Sequence, residues 1–111
     1  MLDIDALATL REIMEDEFSP LIELYIRDSD QRFPAMREAL RENDAEGVRL
    51  LVHSLKGASS NVCAADLAEH AHRVEQMTID GKVDLLATAV DALESDYLQV
   101  RQSLESYIAS A

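Results

Sequence analysis

Seven apolar residues near the C-terminus recur at intervals of four and three residues, and no other feature constrains the fold as strongly. Alternating intervals of this kind form a heptad seam, which is typical of a helix packed along its length against partner helices. No segment of the chain alternates apolar and polar residues as a half-buried strand would. The seam consists of Leu86, Val90, Leu93, Tyr97, Val100, Leu104 and Tyr107.

The rest of the chain divides into helices in the same way. In the second predicted helix, Ser19-Pro20 suggests an N-cap followed by proline at the first helical position. Pro34 lies inside that helix and predicts a bend, because the apolar stripe Ile22, Tyr25, Ser29, Phe33, Met36 and Leu40 continues through it. Asn43-Asp44 is expected to cap the third helix, and Asp80-Gly81-Lys82 is expected to form a turn. The predicted helices cover about residues 3–15, 19–42, 45–61, 64–77 and 83–109.

These elements predict an all-α fold, an antiparallel up-down four-helix bundle with a short N-terminal cap helix. Short connections make neighbouring helices antiparallel, and each long helix has one apolar side. A chain of 111 residues fits a single domain, 1–111. Because aromatic residues make up only 5% of the chain, the core is expected to be aliphatic.

The formal net charge of −12 excludes some partners. Such an acidic chain is poorly suited to nucleic acid or to an anionic membrane. The N-terminus lacks the basic and apolar regions of a signal peptide, and no apolar run approaches 18 residues, so we expect a cytoplasmic protein. The single cysteine, Cys63, excludes an internal disulfide and is expected to be a small buried residue.

The segment around His53 carries the chemistry. On a helix, His53, Lys56, Gly57 and Ser60 lie at i, i+3, i+4 and i+7, which places them on one face. The core side of the same helix would be formed by Val48, Leu51, Val52, Leu55, Ala58 and Val62. The histidine is therefore expected to face water, with a cation one turn away and open space beside the ring. An exposed imidazole in this setting suits a transferable phosphoryl group.

At this point the residues resemble a known family. The string His53-Ser54-Leu55-Lys56-Gly57-Ala58-Ser59-Ser60-Asn61-Val62, followed by Leu67 and Glu75, is similar to the histidine-containing phosphotransfer (HPt) domain. The resemblance extends over essentially the whole chain, from Leu21 through Leu104, and is to a stand-alone bacterial phosphorelay protein. One position departs from the family pattern, because Cys63 stands where the family usually has a second glycine. Because cysteine is also small, the change bears only on how closely the third and fourth helices approach.

The resemblance implies a function and a set of roles. His53 would accept a phosphoryl group on Nε2 from a receiver-domain aspartate of a hybrid sensor kinase and pass it to a response regulator. Lys56 would offset phosphate charge as a solvent-facing cation, and Gly57 would let a partner loop approach. Ser60 would either bond the phosphoryl group or solvate the helix. Glu75 occupies a position that often holds the Nδ1–H of the histidine in this family.

A docking surface is expected next to His53. Leu50 falls on the same side of the helix as His53 and Gly57, where it would not contribute to the core. Arg49 is adjacent to it in the sequence. We therefore expect Arg49, Leu50 and Gly57 to contact receiver domains, with the protein acting as a monomer.

No ATP site and no cofactor are expected, and Mg²⁺ would belong to the partner receiver, so the protein would be a stoichiometric carrier and not an enzyme. One alternative is an adaptor that binds receivers without carrying phosphate. Another is a metal-carrying or redox bundle. His70 and His72 are two residues apart and do not share a helical face, so they are expected to be surface or packing residues and no metal site is predicted.

Overall fold

The computed structural model describes residues 2–110 and confirms the all-α four-helix bundle. A short helix precedes four longer ones, and no strand occurs within residues 2–110. Single 3₁₀ turns, Glu15–Glu17 and Val83–Leu85, precede the second and fifth helices. The helices are α1 (Ile4–Met14), α2 (Phe18–Arg41), α3 (Ala45–Asn61), α4 (Ala65–Ile79) and α5 (Leu86–Ala109).

The four long helices run antiparallel in chain order, so each packs against two neighbours and α3 lies diagonally across from α5. The bundle is elongated, with extents of 43 × 20 × 18 Å. Helix α1 covers the end where α2 begins and where α3 and α5 end. Leu7 is buried there, and the Arg11 guanidinium lies over the rings of Phe18 and Tyr107. None of the helices in the described part of the chain has the length and apolarity needed to span a membrane.

The start of α2 differs from the prediction. The helix begins at Phe18, its N-cap is Glu17, and no side chain caps it. The proposed cap at Ser19-Pro20 is therefore wrong, because both residues lie in the first turn. Proline is tolerated there, since the first N–H groups of a helix have no partner within the helix. Phe18 is 2% exposed, and its burial in the core explains why the helix starts earlier.

Helix α2 runs through Pro34 without a break, and the bend there stays a prediction. The proline ring lies on the exposed side of the helix, away from the core. The buried residues before and after it, Phe33 and Met36, keep the helix against its neighbours. Tertiary packing therefore offsets the hydrogen bond that the proline lacks.

The helix ends near the site are otherwise close to those predicted. The Asp44 side chain accepts a hydrogen bond from the Gly47 backbone N–H at 2.8 Å and caps α3. The turn after α4 lies at Asp80-Gly81-Lys82, where Gly81 has a φ of 75°. Helix α4 extends to Ile79, two residues beyond the predicted end.

The core is less purely aliphatic than the composition predicts. Four of the five aromatic residues are almost fully buried, and they gather between α2 and α5. The ring centroid of Tyr97 lies 5.3 Å from the ring centroid of Phe33 and 6.1 Å from that of Tyr25. Six residues of the heptad seam are buried, and Tyr107 is half-buried. The few aromatic rings thus occupy the interface that the seam predicted.

Cys63 lies in the turn between α3 and α4 with a φ of 63°. This left-handed conformation favours glycine, which explains why a glycine suits this position. The departure from glycine therefore also bears on the backbone conformation of this turn, which the sequence analysis did not consider. The residue is half-buried, not buried, and its carbonyl accepts the Asp3 N–H at 3.1 Å.

Candidate functional site

Helix α3 presents His53 to solvent. Its side chain is 60% exposed, while Val52 on the core side of the same turn is fully buried. Gly57 and Ser60 follow on the exposed side. Leu51 and Ala58, predicted as core, are half-buried, and Ser59 is buried and bonds the Tyr25 hydroxyl at 2.8 Å. The amphipathic pattern of α3 therefore places the imidazole on the outside of the bundle.

Glu75 on α4 lies beneath the histidine and is buried. Its side chain is only 6% exposed, and it is the one buried acidic side chain among residues 2–110. Oε2 lies 2.8 Å from Nδ1 of His53, and Oε1 accepts a hydrogen bond from Nζ of Lys56 at 2.7 Å. The structure thus brings together three residues that the sequence pattern had placed on two separate helices.

The charge of Glu75 fixes the tautomer of the histidine. Burial alone would raise the pKa of this carboxyl, but the hydrogen bonds from Lys56 and His53 outweigh burial, and the pKa of Glu75 lies below its usual value. An ionised carboxylate can only accept hydrogen bonds, so Nδ1 of His53 carries the proton. Nε2 is left with its lone pair on a ring that is mostly exposed. The arrangement therefore supplies an oriented nitrogen nucleophile.

Lys56 differs from the expected solvent-facing cation. Its side chain is 27% exposed, because it turns toward α4 and binds Glu75. Three residues along the helix from His53, it lies on the flank that meets α4. In this structure the ammonium therefore compensates the charge of the buried carboxylate. Lys56 and His53 are linked because both bind Glu75.

Gly57 and Ser60 extend the exposed surface. A β-carbon on Gly57 would meet no atom outside its own helix backbone within 4 Å. Neither packing nor backbone conformation in the free protein therefore requires glycine there. The Ser60 hydroxyl donates to the Lys56 carbonyl at 3.2 Å, an ordinary bond within one helix turn.

Leu50 and Arg49 lie one turn before His53. Leu50 is 55% exposed, as its position on the helix predicts. Arg49 forms an ion pair with Glu46, and its Nη1 lies 3.8 Å from Oε2 of Glu75. The predicted docking residues are thus contiguous with the histidine on the surface of α3.

The two other histidines lie in different surroundings. His70 is paired with Asp96 of α5 and is 18% exposed. His72 is 47% exposed, and its Nδ1 lies 3.9 Å from Oε1 of Glu75, a proximity that the sequence analysis missed. The spacing of three residues between His72 and Glu75 was the available signal, because it places both on one side of α4. Within residues 2–110, no group of three or more His, Cys, Asp or Glu side chains is arranged to hold a metal ion.

The fold and the site together define the class: a four-helix bundle with an exposed histidine hydrogen-bonded to a buried carboxylate. Comparison with known proteins gives the family. The sequence profile of the Hpt domain matches residues 20–103. The chain belongs to the Hpt, or histidine-containing phosphotransfer, domain family.

Two solved structures illustrate the relationship. Histidine-containing phosphotransfer protein B (HptB) from Pseudomonas aeruginosa is 31% identical, with a TM-score of 0.93 over 99% of this chain and 96% of that one. The maize protein ZmHP2, another histidine-containing phosphotransfer protein, is 18% identical, with a TM-score of 0.85 over 96% of this chain and 88% of that one. The maize likeness concerns the fold alone. A search of curated protein sequences found no significant match.

Proposed function

We propose that this protein is a phosphorelay carrier that accepts a phosphoryl group on Nε2 of His53. The donor would be the aspartyl phosphate of one receiver domain, as in a hybrid sensor kinase, and the acceptor the aspartate of a response-regulator receiver. The single observation that carries the proposal is the exposed imidazole held through Nδ1 by the buried carboxylate of Glu75. Membership of the Hpt family supports the same chemistry.

The transfer step balances without a further reactant. The Nε2 lone pair forms a bond to phosphorus, the bond from phosphorus to the aspartyl oxygen breaks, and its electrons leave with the aspartate carboxylate. The proton on Nδ1 stays in place, so the phosphorylated ring becomes cationic. Glu75 is then a buried anion hydrogen-bonded to that cation, an arrangement stronger than a bond to a neutral ring. Transfer to the second receiver is the reverse reaction.

The neighbouring residues would support this step in different ways. Lys56 is the cation nearest in sequence to His53 on α3, and it would offset the negative charge of the phosphoryl oxygens. Gly57 would leave room for the loops of a receiver. Ser60 would hydrogen-bond the phosphoryl group if its hydroxyl leaves the Lys56 carbonyl.

We propose that the receiver docks on the face formed by Arg49, Leu50 and Gly57. Leu50 supplies exposed apolar area next to the nucleophile, and the acidic surroundings favour a receiver with a basic rim. Mg²⁺ and the acidic residues that coordinate it would belong to the receiver. The protein would act as a cytoplasmic monomer and would use neither ATP nor a cofactor of its own.

The test is label transfer from a receiver phosphorylated with radioactive phosphate. We expect the parent protein to acquire label that is lost in acid and kept in alkali, as phosphohistidine is. His53→Gln should acquire none, and the matched variant His70→Gln should behave like the parent. Gly57→Gln should block transfer although His53 is intact, because a long side chain would fill the space beside the ring.

Other results would overturn the proposal. Label on His53→Gln would place the acceptor elsewhere. Binding of receivers by the parent protein without transfer of label, from every receiver of the source organism, would instead identify an adaptor.

A further inference from the structure

His72 is a second imidazole at the site, and it has no role in the function proposed above. It lies on α4, one turn before Glu75, and nearly half of its side chain is exposed. Its Nδ1 is 3.9 Å from Oε1 of Glu75, the same oxygen that accepts the hydrogen bond from Lys56. This distance is within ion-pair range but longer than a hydrogen bond. Two basic groups are therefore placed to compete for one carboxylate oxygen.

The charges around Glu75 determine whether Lys56 is available to contact a phosphoryl group on His53. His53 occupies Oε2 at 2.8 Å, and Arg49 lies 3.8 Å from the same atom while paired with Glu46. Lys56 is bound to Oε1 at 2.7 Å. An ammonium held at a buried carboxylate oxygen has fewer of its N–H groups available for a phosphoryl group on His53. Lys56 can turn fully to the phosphate when Oε1 has another cationic partner, because the phosphorylated His53 ring bonds only Oε2 and a buried charge short of partners is costly.

We propose that His72 is a positioning residue. Its imidazolium binds Oε1 of Glu75 in place of Lys56, and this frees the Lys56 ammonium to contact the phosphoryl group on His53. The inference rests on the proposed function, since it concerns the same nucleophile. It makes the help given by Lys56 dependent on the protonation of His72, and an imidazole changes charge between pH 5 and 8.

The other charged groups near His72 leave this assignment intact. From α3, Lys56, Arg49 and His53 all converge on the Glu75 carboxylate. On α4 itself, Glu69 lies one turn before His72, and its carboxylate is 3.8 Å from Arg73. Glu75 is thus the buried anion toward which His72 is directed.

Phosphorylation by potassium phosphoramidate tests the proposal without any receiver. This small donor transfers its phosphoryl group to imidazole nitrogen, and the phosphorus–nitrogen bond of the donor breaks as ammonia leaves. Rates would be measured between pH 5.5 and 8.5 for the parent, His72→Gln, His72→Lys and His70→Gln, with His53→Gln as the control for label elsewhere. Dividing each rate by that of the parent cancels the pH dependence of the donor.

We expect His72→Gln to react about two- to fivefold more slowly than the parent at pH 6, as suits a partly exposed ion pair, and at the parent's rate at pH 8.5. His72→Lys, which keeps its charge, should match the parent at pH 6 and exceed it at pH 8.5. His70→Gln should follow the parent throughout. In the parent, the NMR signal of the Lys56 ammonium should differ between pH 5.5 and pH 8.5, and His72→Gln should reduce that difference.

A rate ratio for His72→Gln that is constant with pH would overturn the inference, as would a Lys56 signal indifferent to His72. Either result would leave the proposed function standing if His53 still takes the label. Failure of the parent to be phosphorylated on His53 by phosphoramidate and by every receiver would instead remove the proposed function.

Discussion

Among residues 2–110, two histidines are hydrogen-bonded to a carboxylate of a neighbouring helix, and the exposures of these two pairs are opposite. In the pair His53–Glu75, the imidazole is 60% exposed and the carboxylate 6%. In the pair His70–Asp96, the imidazole is 18% exposed and the carboxylate 50%. Both use Nδ1, and both join neighbouring helices: α3 with α4 in the first pair, α4 with α5 in the second.

If His53 is the phosphoryl acceptor as proposed, accessibility and a buried partner, and not the pairing itself, distinguish it from His70. Asp96 can exchange its bond to His70 for water, so that pair fixes a side chain at modest gain. Glu75 has little access to water and depends on His53 and Lys56 for compensation. The exposed ring of His53 is therefore held in one orientation while Nε2 remains open to a partner.

The largest predicted effect comes from neutralising the carboxylate of each pair in turn. Glu75→Gln should slow phosphoryl transfer to His53 by about tenfold, because a hydrogen bond to a charged group is worth roughly 1.5 kcal/mol and the ring becomes cationic on phosphorylation. Asp96→Asn should change the rate by less than about twofold. Single-turnover transfer from a phosphorylated receiver measures both. Equal losses would mean that the two pairs support the site alike.

The second prediction concerns stability and uses the other partner of Glu75. Lys56→Ala should lower the free energy of unfolding by about 1 kcal/mol at pH 7, because it leaves a buried carboxylate with one hydrogen bond fewer. This exceeds the loss of about 0.5 kcal/mol that a solvent-facing lysine would give. Arg49→Ala, which removes a more distant cation, is the matched control and should cost less.

The pH dependence follows from the lowered pKa of Glu75. A carboxyl with a folded-state pKa below its ordinary 4.5 stabilises the fold fully above that value and loses the contribution as the pH falls through the folded pKa. Lys56→Ala raises that folded pKa, so the gap in stability between variant and parent should narrow as the pH is lowered from 7 to 3. Urea unfolding at several pH values measures it. A constant gap would show that the lysine stabilises the fold by packing and not by charge.

The last prediction tests whether the surface beside the exposed histidine is specialised for binding a receiver. Leu50→Ala should weaken receiver binding by about 1 kcal/mol, roughly fivefold in Kd, with little change in stability. Leu98 on α5 is similarly exposed, at 51% against 55% for Leu50, and it lies on the helix diagonally opposite α3. Leu98→Ala should therefore leave binding unchanged. Titration of a receiver against each variant decides whether the docking face is where we propose.

Much of the fold was predictable because it follows from local periodicity. The seam of α5 and the stripes of α2 and α3 identify the buried sides of those helices before any partner is known. The cap at Asp44 could be recognised because its side chain acts on a residue three positions away. The start of α2 was misplaced because Ser19-Pro20 is a strong local signal, whereas the burial of Phe18 depends on the rest of the core.

The site was predictable in part for the same reason. The face shared by His53 and Gly57 follows from helical spacing within α3. The partnership of Lys56 with Glu75 does not, since it depends on how α3 and α4 are rotated against each other. The positive φ of Cys63 belongs to the turn between α3 and α4 and lies outside the helical pattern. The glycine usual at this position in the family was the available signal.

The hydrogen bond that orients His53 joins residues only 22 positions apart in the sequence, His53 and Glu75. The hydrogen bond from Lys56 to Glu75 joins residues 19 positions apart. All of these residues belong to the single helical hairpin formed by α3 and α4. Opening fluctuations that release α1 or the end of α5, where helices commonly fray, need not disturb that hairpin. Native-state amide exchange should therefore find the site within a slowly exchanging unit even where the chain ends exchange fast. A carrier built in this way can loosen at its ends without losing the geometry of its nucleophile.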